Sequence, residues 1–432
     1  MKKLWMASLV SASVSLPAMA TTEITWWHAM SGQLGETVNK IAHDFNNAQD
    51  DYKITPVYKG EYPETLTAGI AAFRAKQSPN ILQVMDAGAA TIMNAPGVAK
   101  PVQDIMIESG YPFKTSDYLA GVRNFYADSD GKMIGMPFNS STPVLYYNKD
   151  LLKKAGIDTP PATFEQFEKD AEKLKQTGVV ALSESHTPWI LFENFKSRHN
   201  LPVADENNGY DGPATKIEYN SKDMVMQLTK FKEWHDKGYF KYFGKNWDNN
   251  QVPFERGEVA MWLGSSGSFG GLRDRVKFNL GTTYLPSWDS LTKENYHTFI
   301  GGAALFALSG HSKDEDKAVA AFFNYLTQPE VQMEWHKTTG YVPVTNAAYE
   351  LTKQSGYYQE SPDAEIGVKQ LSLQSGAWNN GYRLGFYPQI REVIWSEFDK
   401  IIAGDTSVEE GLNTIEQQGN QLLSRFKRTL KK

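Results

Sequence analysis

The alternation of strand-like and helix-like segments near the start of the chain constrains its fold more than any other feature. Residues 24–27 have the pattern of a strand, and apolar residues then recur at helical spacing over 34–45. The pattern continues with a strand over 52–58, a helix over 63–74 and a strand over 80–85. Strands that alternate with helices at this spacing form βαβ units. The sequence therefore predicts an α/β fold whose sheet is at least partly parallel.

A second α/β unit is predicted to begin near Pro137. Residues 142–148 are rich in β-branched and aromatic residues, as strands are, and a capping box that starts at Thr163 predicts a helix. Two further helices are predicted over 221–237 and 313–327. A chain of 432 residues is long enough for two or three domains. Because no long linker separates the two units, we expect them to share an interface.

The amino terminus has the pattern of an export signal. Lys2 and Lys3 form a short basic region, residues 4–16 are mostly apolar or small, and Ala18 and Ala20 frame a small-x-small cleavage site. We expect cleavage after Ala20, which leaves a mature chain with 42 basic and 50 acidic residues. The apolar stretch is too short for a membrane span. The sequence therefore predicts a protein that is exported to the periplasm.

Composition excludes several kinds of chemistry. The chain contains no cysteine, which rules out disulfides, thiolate metal centres, a thiol nucleophile and an acylated cysteine anchor. Its formal net charge of -6 lacks the basic character of proteins that bind nucleic acid. We therefore expect a freely diffusing periplasmic protein with no nucleic-acid partner.

The sequence lacks the common motifs of enzymes and metal sites. It contains no Walker A loop, dinucleotide-binding fingerprint, zinc-protease motif or nucleophile elbow. None of its eight histidines lies three or four residues from another, so no helical metal site is predicted. Asp128 and Asp130 fit a polar turn better than a calcium loop. We predict a protein without catalytic residues, metal or cofactor.

Four segments have the chemistry of a ligand site. Residues 139–142 place an amide and hydroxyls before a strand, and residues 264–268 form a Ser/Gly loop of the kind that binds anions. Gly301 and Gly302 allow a backbone to approach a ligand closely, and Arg391 can grip a phosphate with two hydrogen bonds. Taken alone, each Ser/Gly segment is more typical of a turn and Arg391 is more typical of a surface ion pair. Together they indicate a site for a small anionic ligand.

These segments belong to a set of motifs that extends over almost the whole chain after residue 20. The motifs lie at 27–28, 58–62, 68–74, 137–150 (PFNSSTPVLYYNKD), 265–268, 334–341 (EWHKTTGY), 383–385 and 388–391 (PQIR). With them the chain resembles the extracytoplasmic solute-binding proteins of ABC importers, and among these the group that binds glycerol 3-phosphate. The long motif at 137–150 and the PQIR motif are the most specific to that group.

The resemblance implies the two-lobed clamshell fold of periplasmic binding proteins, in which each lobe is a mixed sheet flanked by helices. The N-terminal lobe would comprise residues 21–135 with 296–345, and the C-terminal lobe residues 136–295 with 346–432. Carried over position by position, the ligand-binding residues would be Tyr62, Asp86, Ser141, Ser265, Gly302, Tyr341 and Arg391.

The chemistry of these residues suggests their roles. We expect Arg391, Ser141 and the Ser265 loop to hold the phosphate, and Asp86 and Gly302 to bind the glycerol hydroxyls. The two tyrosines would cover the carbon skeleton, while Trp189 and Trp262 would either line the cleft or pack in the core.

One residue departs from the group's motif. Asp86 stands where the group carries glutamate, so the carboxylate is one methylene shorter and a water could bridge the gap. This leaves the ligand open among glycerol 3-phosphate, a glycerophosphodiester such as glycerophosphocholine, and an unrelated polyol or sugar.

Two alternatives remain at this point: a binding protein of the same fold for an oligosaccharide or polyol, and a periplasmic phosphodiester or glycoside hydrolase. The hydrolase would need a metal cluster or a second carboxylate across the cleft. The resemblance further implies permease subunits of an ABC importer as partners, with a cytoplasmic ATPase behind them, and a monomeric state.

Overall fold

Ten strands form two mixed sheets within residues 21–128 and 130–430, which the computed structural model describes. The predicted export signal and its cleavage site lie outside these residues. The strands are β1 Thr22–His28, β2 Tyr52–Tyr58, β3 Ile81–Met85, β4 Ala99–Lys100, β5 Met136–Ser141, β6 Pro143–Asn148, β7 Val180–Glu184, β8 Val259–Ser265, β9 Leu280–Tyr284 and β10 Gly301–Leu308.

The first sheet has the order β2-β1-β3-β10-β4, with β5 also paired to β10. β1 runs parallel to β2 and β3, as the βαβ pattern predicts, while β10 runs antiparallel to β3, β4 and β5. All five residues of β3 are buried because helices cover both faces of this sheet. The first sheet with its helices is called the first lobe below.

The second sheet has the order β7-β8-β6-β9. β7 runs parallel to β8, and β6 runs antiparallel to β8 and β9. This sheet with its helices is called the second lobe. The predicted α/β class with a partly parallel sheet is therefore confirmed.

Helices fill the connections between the strands. Their bounds are α1 Gly32–Ala48, α2 Tyr62–Arg74, α3 Asp86–Met93, α4 Val102–Glu108, α5 Ala120–Arg123, α6 Lys149–Lys154, α7 Phe164–Gln176, α8 Asn194–Arg198, α9 Asp205–Gly209, α10 Lys222–Asp236, α11 Trp247–Glu255, α12 Phe269–Arg275, α13 Lys313–Leu326, α14 Pro329–Thr339, α15 Asn346–Gln354, α16 Tyr357–Glu360, α17 Ile366–Leu371, α18 Tyr387–Ala403 and α19 Val408–Thr429. A π-helical turn, Pro188–Glu193, precedes α8. Within the described residues, no helix has the length and apolar character needed to cross a membrane.

The helix starts follow from local capping chemistry. The hydroxyl of Thr163 accepts a hydrogen bond from Gln166 N at 3.2 Å, as predicted for α7. The Gln166 side chain, however, accepts from the N–H of Ala162 at 3.1 Å. The helix therefore has the predicted cap, but its glutamine satisfies the amide one residue earlier than a capping box requires.

The chain passes from the first lobe to the second at Thr142, the single residue between β5 and β6. Thr142 is fully buried, and its N–H donates to Ser266 Oγ at 3.2 Å. The whole of β5 pairs with the first sheet, so this crossing falls a few residues after the predicted lobe limit at 135/136. At the carboxyl end, α18 contacts both α3 of the first lobe and α10 of the second.

Candidate functional site

A cavity of about 90 Å³ lies between the two lobes. The structure brings all seven predicted site residues to its wall: Tyr62, Asp86, Ser141, Ser265, Gly302, Tyr341 and Arg391. They come from both lobes, and the most distant of them are more than three hundred residues apart in the sequence.

The ends of elements position most of these side chains. Asp86 is the first residue of α3 and directly follows β3, which places it at the carboxyl end of a buried strand. Ser141 is the last residue of β5 and Ser265 is the last residue of β8. Because one serine ends a strand of each sheet, the cavity spans both lobes.

The two glycines at the start of β10 have a packing role. A Cβ atom on Gly301 would lie 2.4 Å from Trp189 Cζ2, and one on Gly302 would lie 1.8 Å from the carbonyl oxygen of Asn139. Gly302 also has a φ of +88°, which favours glycine. Both positions therefore require glycine whether or not a ligand approaches their backbone.

Arg391 forms a buried ion-pair cluster at one side of the cavity. Its Nη2 lies 2.5 Å from Asp86 Oδ2 and 2.8 Å from Glu193 Oε2, and its Nε donates to Glu193 Oε1 at 2.8 Å. The hydroxyl of Tyr382 lies 2.8 Å from Glu193 Oε2 and 3.1 Å from Asp86 Oδ2. We call Asp86, Glu193, Arg391 and Tyr382 the charged cluster. Most of the donor capacity of Arg391 is thus used within the protein.

Burial and charge shift the proton affinities in this cluster in a consistent way. Burial raises the pKa of Glu193, against the opposing effect of Arg391. Burial acts to lower the pKa of Arg391, but Asp86 and Glu193 outweigh it and hold that pKa well above its ordinary value. The formal charge of the cluster is therefore -1 when both carboxylates are ionised and zero when Glu193 carries a proton.

A relay of amides orients Tyr62, another residue of the cavity wall. The N–H of Ala29 donates to Gln83 Oε1 at 2.8 Å, and Gln83 Nε2 donates to Asn139 Oδ1 at 2.8 Å. Asn139 Nδ2 then donates to the hydroxyl oxygen of Tyr62 at 2.7 Å. Tyr62 accepts this bond, and its hydroxyl also interacts with the hydroxyl of Tyr341. Burial raises the pKa of Tyr62, so the phenol stays protonated.

The Ser265 loop differs from the anion loop expected from the sequence. The N–H of Ser266 donates to Thr142 O at 2.8 Å, and the N–H of Gly267 donates to Ser265 Oγ at 3.1 Å. These two backbone donors are therefore occupied. Ser265 Oγ accepts a bond and keeps its proton for the cavity. We call Tyr62, Ser141, Ser265 and Tyr341 the hydroxyl side.

Aromatic residues complete the lining. Trp189 lines the cavity, which is one of the two places predicted for it. His186, Trp247 and Trp395 line the cavity as well. The His186 ring makes edge contacts with Trp189 and Trp247, at centroid distances of 6.1 and 5.0 Å. Burial lowers the pKa of His186 to about 4, so the ring is neutral. These four residues are called the aromatic wall.

Two other tryptophans considered from the sequence lie elsewhere. Trp262 is fully buried, stacks on Tyr146 at 5.4 Å and donates to Ser185 Oγ at 3.1 Å. It is a core residue. Trp27 lies outside the cavity lining, where the Lys59 ammonium sits 3.9 Å from its ring centroid.

Four residues at the cavity were not predicted from the sequence: Glu193, Tyr382, Trp247 and Trp395. The sequence offers one signal for Glu193, which directly follows the apolar run 188–192. In the structure Glu193 is fully buried. A carboxylate that interrupts such a run needs a partner in the core. The π-helical turn Pro188–Glu193 carries both Trp189 and Glu193 to the cavity, and π-helical turns are frequent at functional sites.

No arrangement of side chains suited to a metal ion occurs within residues 21–128 and 130–430. Asp128 Oδ1 accepts from the N–H groups of Asp130 and Lys132, at 3.0 and 2.9 Å. The segment is thus the polar turn that its sequence favours over a calcium loop.

Comparison with known proteins places this architecture. The family model described as "Bacterial extracellular solute-binding protein" matches residues 40–365. The sn-glycerol-3-phosphate-binding periplasmic protein UgpB of Yersinia enterocolitica is 41% identical over 428 residues, which cover 98% of this chain and 97% of that protein. The protein of the same name from Escherichia coli O1:K1 is 41% identical over 420 residues, covering 96% and 95% of the two chains.

Among solved structures, UgpB from Mycobacterium tuberculosis in complex with glycerophosphocholine has a TM-score of 0.80 at 20% identity. The match covers 94% of this chain and all of that one. This likeness confirms the predicted two-lobed periplasmic-binding-protein fold. The family match and the near full-length relatives lead to one conclusion: the chain belongs to the bacterial extracellular solute-binding proteins.

Proposed function

We propose that this chain is a periplasmic receptor that binds sn-glycerol 3-phosphate or a glycerophosphodiester and delivers it to an ABC importer. The observation that carries the proposal is the convergence of all seven predicted positions on one cavity between the lobes. The names of the relatives that share 41% of their residues with this chain support the same ligand class.

The geometry supports a division of roles that differs from the one expected from the sequence. The phosphate is bound by the neutral donors of the hydroxyl side, chiefly Ser141 and Ser265. Such donors stabilise an anion through aimed dipoles without a full positive charge. Asp86 and Arg391 bind the glycerol hydroxyls, since a carboxylate accepts and a guanidinium donates. Arg391 is thus a hydroxyl ligand whose charge is balanced by its two carboxylates.

Closure of the lobes requires no catalytic step. A ligand that contacts Ser141 of the first lobe and Ser265 of the second favours the closed state by its differential affinity for that state. The closed form, as a monomer in the periplasm, is what the permease subunits recognise, with a cytoplasmic ATPase behind them. Because the family consists of solute-binding proteins, the hydrolase alternative has no support from it.

A second candidate is a receptor for an oligosaccharide. The aromatic wall favours it, because sugar rings stack on indoles. The convergence of all seven positions implied by the resemblance to the glycerol 3-phosphate group argues against it.

Isothermal titration calorimetry of the purified mature protein distinguishes the candidates. The ligand panel is glycerol 3-phosphate, glycerophosphocholine, glycerol and maltotriose. We expect both phosphate esters to bind and the two neutral compounds not to bind. Binding of maltotriose with no response to either ester would overturn the proposal in favour of the oligosaccharide. Release of choline or glycerol from glycerophosphocholine would show that the chain is an enzyme.

A further inference from the structure

We infer that Gln83 and Asn139 are positioning residues that decide which kind of ligand oxygen the cavity prefers. They set the direction of the hydrogen bonds at Tyr62 and Tyr341, called the tyrosine pair below, so that the pair donates a proton to the ligand. This direction favours an anionic oxygen, which can only accept, over the hydroxyl of a sugar or polyol. The inference rests on the proposed function, since it names residues that make that same site select a phosphate ester.

The direction of the hydrogen bonds starts at a group that can only donate. The backbone N–H of Ala29 donates to Gln83 Oε1 at 2.8 Å, which leaves the NH2 group of Gln83 to face Asn139. Gln83 Nε2 donates to Asn139 Oδ1 at 2.8 Å, so Asn139 turns its own NH2 group toward the tyrosine pair. If either amide were reversed, two N–H groups or two oxygens would face each other. One backbone N–H therefore fixes the orientation of both amides.

Burial makes this orientation stable. Gln83 is 1% exposed and Asn139 is not exposed at all. Gln83 lies on β3 and Asn139 on β5, and β10 pairs with both strands, so the hydrogen bond between the two amides crosses the strand that separates them. A reversed amide would leave a buried donor and a buried acceptor without partners, which is more costly than at the surface. The amides are therefore held in one orientation before a ligand arrives.

The number of protons at the tyrosine pair is the second argument. Asn139 Nδ2 donates to the Tyr62 hydroxyl oxygen at 2.7 Å, and hydrogen bonds from Asn139 lower the pKa of both phenols against the larger, raising effect of burial. Both phenols therefore stay protonated, and the pair has two O–H groups. The two hydroxyls interact with each other, which uses one O–H whichever phenol donates.

The second O–H is then available to the ligand. The NH2 group of Asn139 cannot accept it, and both phenols line the cavity. The same logic operates at Ser265, whose Oγ accepts from the N–H of Gly267 at 3.1 Å and keeps its proton. An oxygen in place of the Asn139 NH2 group would take one phenol proton, the contact between the phenols would take the other, and the pair would offer only lone pairs. The orientation of Asn139 thus decides whether the pair donates or accepts.

Calorimetry with glycerol 3-phosphate tests the two positioning residues. Asn139→Asp keeps the shape of the side chain and replaces the donor by an acceptor, so we expect the affinity to fall by at least about tenfold. Gln83→Met removes the group that orients Asn139, and we expect a loss of about threefold to tenfold. Gln332→Met is the matched control, because Gln332 is also a buried amide of the first lobe, accepts from the N–H of Val344 at 3.0 Å and lies outside the cavity lining.

The control is expected to bind glycerol 3-phosphate with unchanged affinity. Equal losses in Gln83→Met and Gln332→Met, or no loss in Asn139→Asp, would overturn the inference.

A double-mutant cycle separates orientation of the phenols from a general structural role of Gln83. In the background Tyr62→Phe with Tyr341→Phe no phenol proton remains to be directed. We therefore expect Gln83→Met to cause no further loss of affinity in that background. A further loss as large as in the unaltered protein would show that Gln83 acts through something other than the tyrosine pair, and would overturn its assigned role.

Neutron diffraction from deuterium-exchanged crystals of the unaltered, ligand-free protein observes the direction itself, and it does so even if a variant fails to fold. We expect a deuteron of Asn139 Nδ2 directed at the Tyr62 oxygen and one phenol deuteron of the pair directed into the cavity. A phenol deuteron directed at the Asn139 side chain would overturn the inference. If the unaltered protein binds neither glycerol 3-phosphate nor glycerophosphocholine in calorimetry, the proposed function fails, and the deuteron positions distinguish that outcome from a failure of the hydrogen-bond direction.

Discussion

In one part of the cavity wall Arg391 donates to two buried carboxylates, and in another part Tyr62, Ser141 and Ser265 contribute hydroxyl groups with no ionised residue among them. The arginine, which looks like the anion ligand in the sequence, is the residue whose charge is already balanced. The hydroxyl side, in contrast, keeps O–H donors such as that of Ser265 available for a ligand. The contrast shows that the residue with the matching charge is not necessarily the one that binds the anion.

The contrast also separates stability from binding. An ion pair that is buried and fully hydrogen-bonded is costly to break from one side, because the remaining charge has no partner. A hydroxyl that faces a cavity contributes little to the stability of the fold and can form a hydrogen bond with a ligand. We therefore expect substitutions in the charged cluster to change stability and substitutions on the hydroxyl side to change binding.

The largest effect is expected for Arg391→Met, which leaves Asp86 and Glu193 buried without their cation. We expect the free energy of unfolding in urea at pH 7 to fall by about 3–5 kcal/mol. In the triple variant Arg391→Met, Glu193→Leu, Asp86→Asn, most of this loss should be recovered, because no unpaired charge remains. If the triple variant is no more stable than the single one, the loss does not come from the carboxylates.

Glu184 provides the reference for a buried carboxylate without a guanidinium. Burial raises its pKa to about 8, and Thr187 is its hydrogen-bond partner. The folded state therefore holds a proton that the unfolded state releases above its ordinary pKa of 4.5, so stability falls as pH rises from about 4.5 to 8.

The isosteric variant Glu184→Gln should not show this loss. The free energy of unfolding of the variant, relative to that of the unaltered protein, should rise by about 2–4 kcal/mol between pH 5 and pH 8, at about 1.4 kcal/mol per pKa unit. Thermal unfolding across that pH range measures the difference. Parallel curves for the two proteins would show that Glu184 does not titrate as described.

On the hydroxyl side, Ser141→Ala is expected to weaken binding of glycerol 3-phosphate by about tenfold, the lower range for a hydrogen bond to a charged group. Ser140→Ala is the matched control, since Ser140 is the preceding residue of β5 and is buried away from the cavity lining. Titration calorimetry of both variants compares them. Similar losses in the two would indicate an effect on the strand and not on the ligand.

The smallest effect is expected for Glu193→Gln, which preserves the shape of the charged cluster and removes one negative charge. We expect the affinity for glycerol 3-phosphate to rise by about twofold to fivefold at low ionic strength and the gain to shrink in salt. An affinity that falls in this variant would mean that the ionised Glu193 assists the anion, contrary to the division of roles proposed here.

Much of the fold could be predicted because local patterns of apolar and polar residues indicate its strands and helices. The strand predicted over 52–58 coincides with β2, and the helix predicted over 221–237 coincides with α10 to within one residue at each end. The seven positions that the resemblance implies meet at one cavity, and three of them, Asp86, Ser141 and Ser265, lie at strand ends, where α/β folds place ligands.

The partners of Arg391 could not be predicted in the same way. Glu193 is 198 residues away in the sequence, and only the docking of α18 against the π-helical turn brings the two together. The tryptophans of the aromatic wall share this limitation. Trp247 and Trp395 occur in helices, where an indole at helical spacing is as typical of a core as of a binding surface.

A crystal structure with bound glycerophosphocholine tests the division between the two sides most directly. We expect the phosphate oxygens within hydrogen-bond distance of Ser141 and Ser265, and Arg391 still paired with Asp86 and Glu193 while it contacts a glycerol hydroxyl. A phosphate that forms two hydrogen bonds with the Arg391 guanidinium, with either carboxylate displaced, would contradict the account.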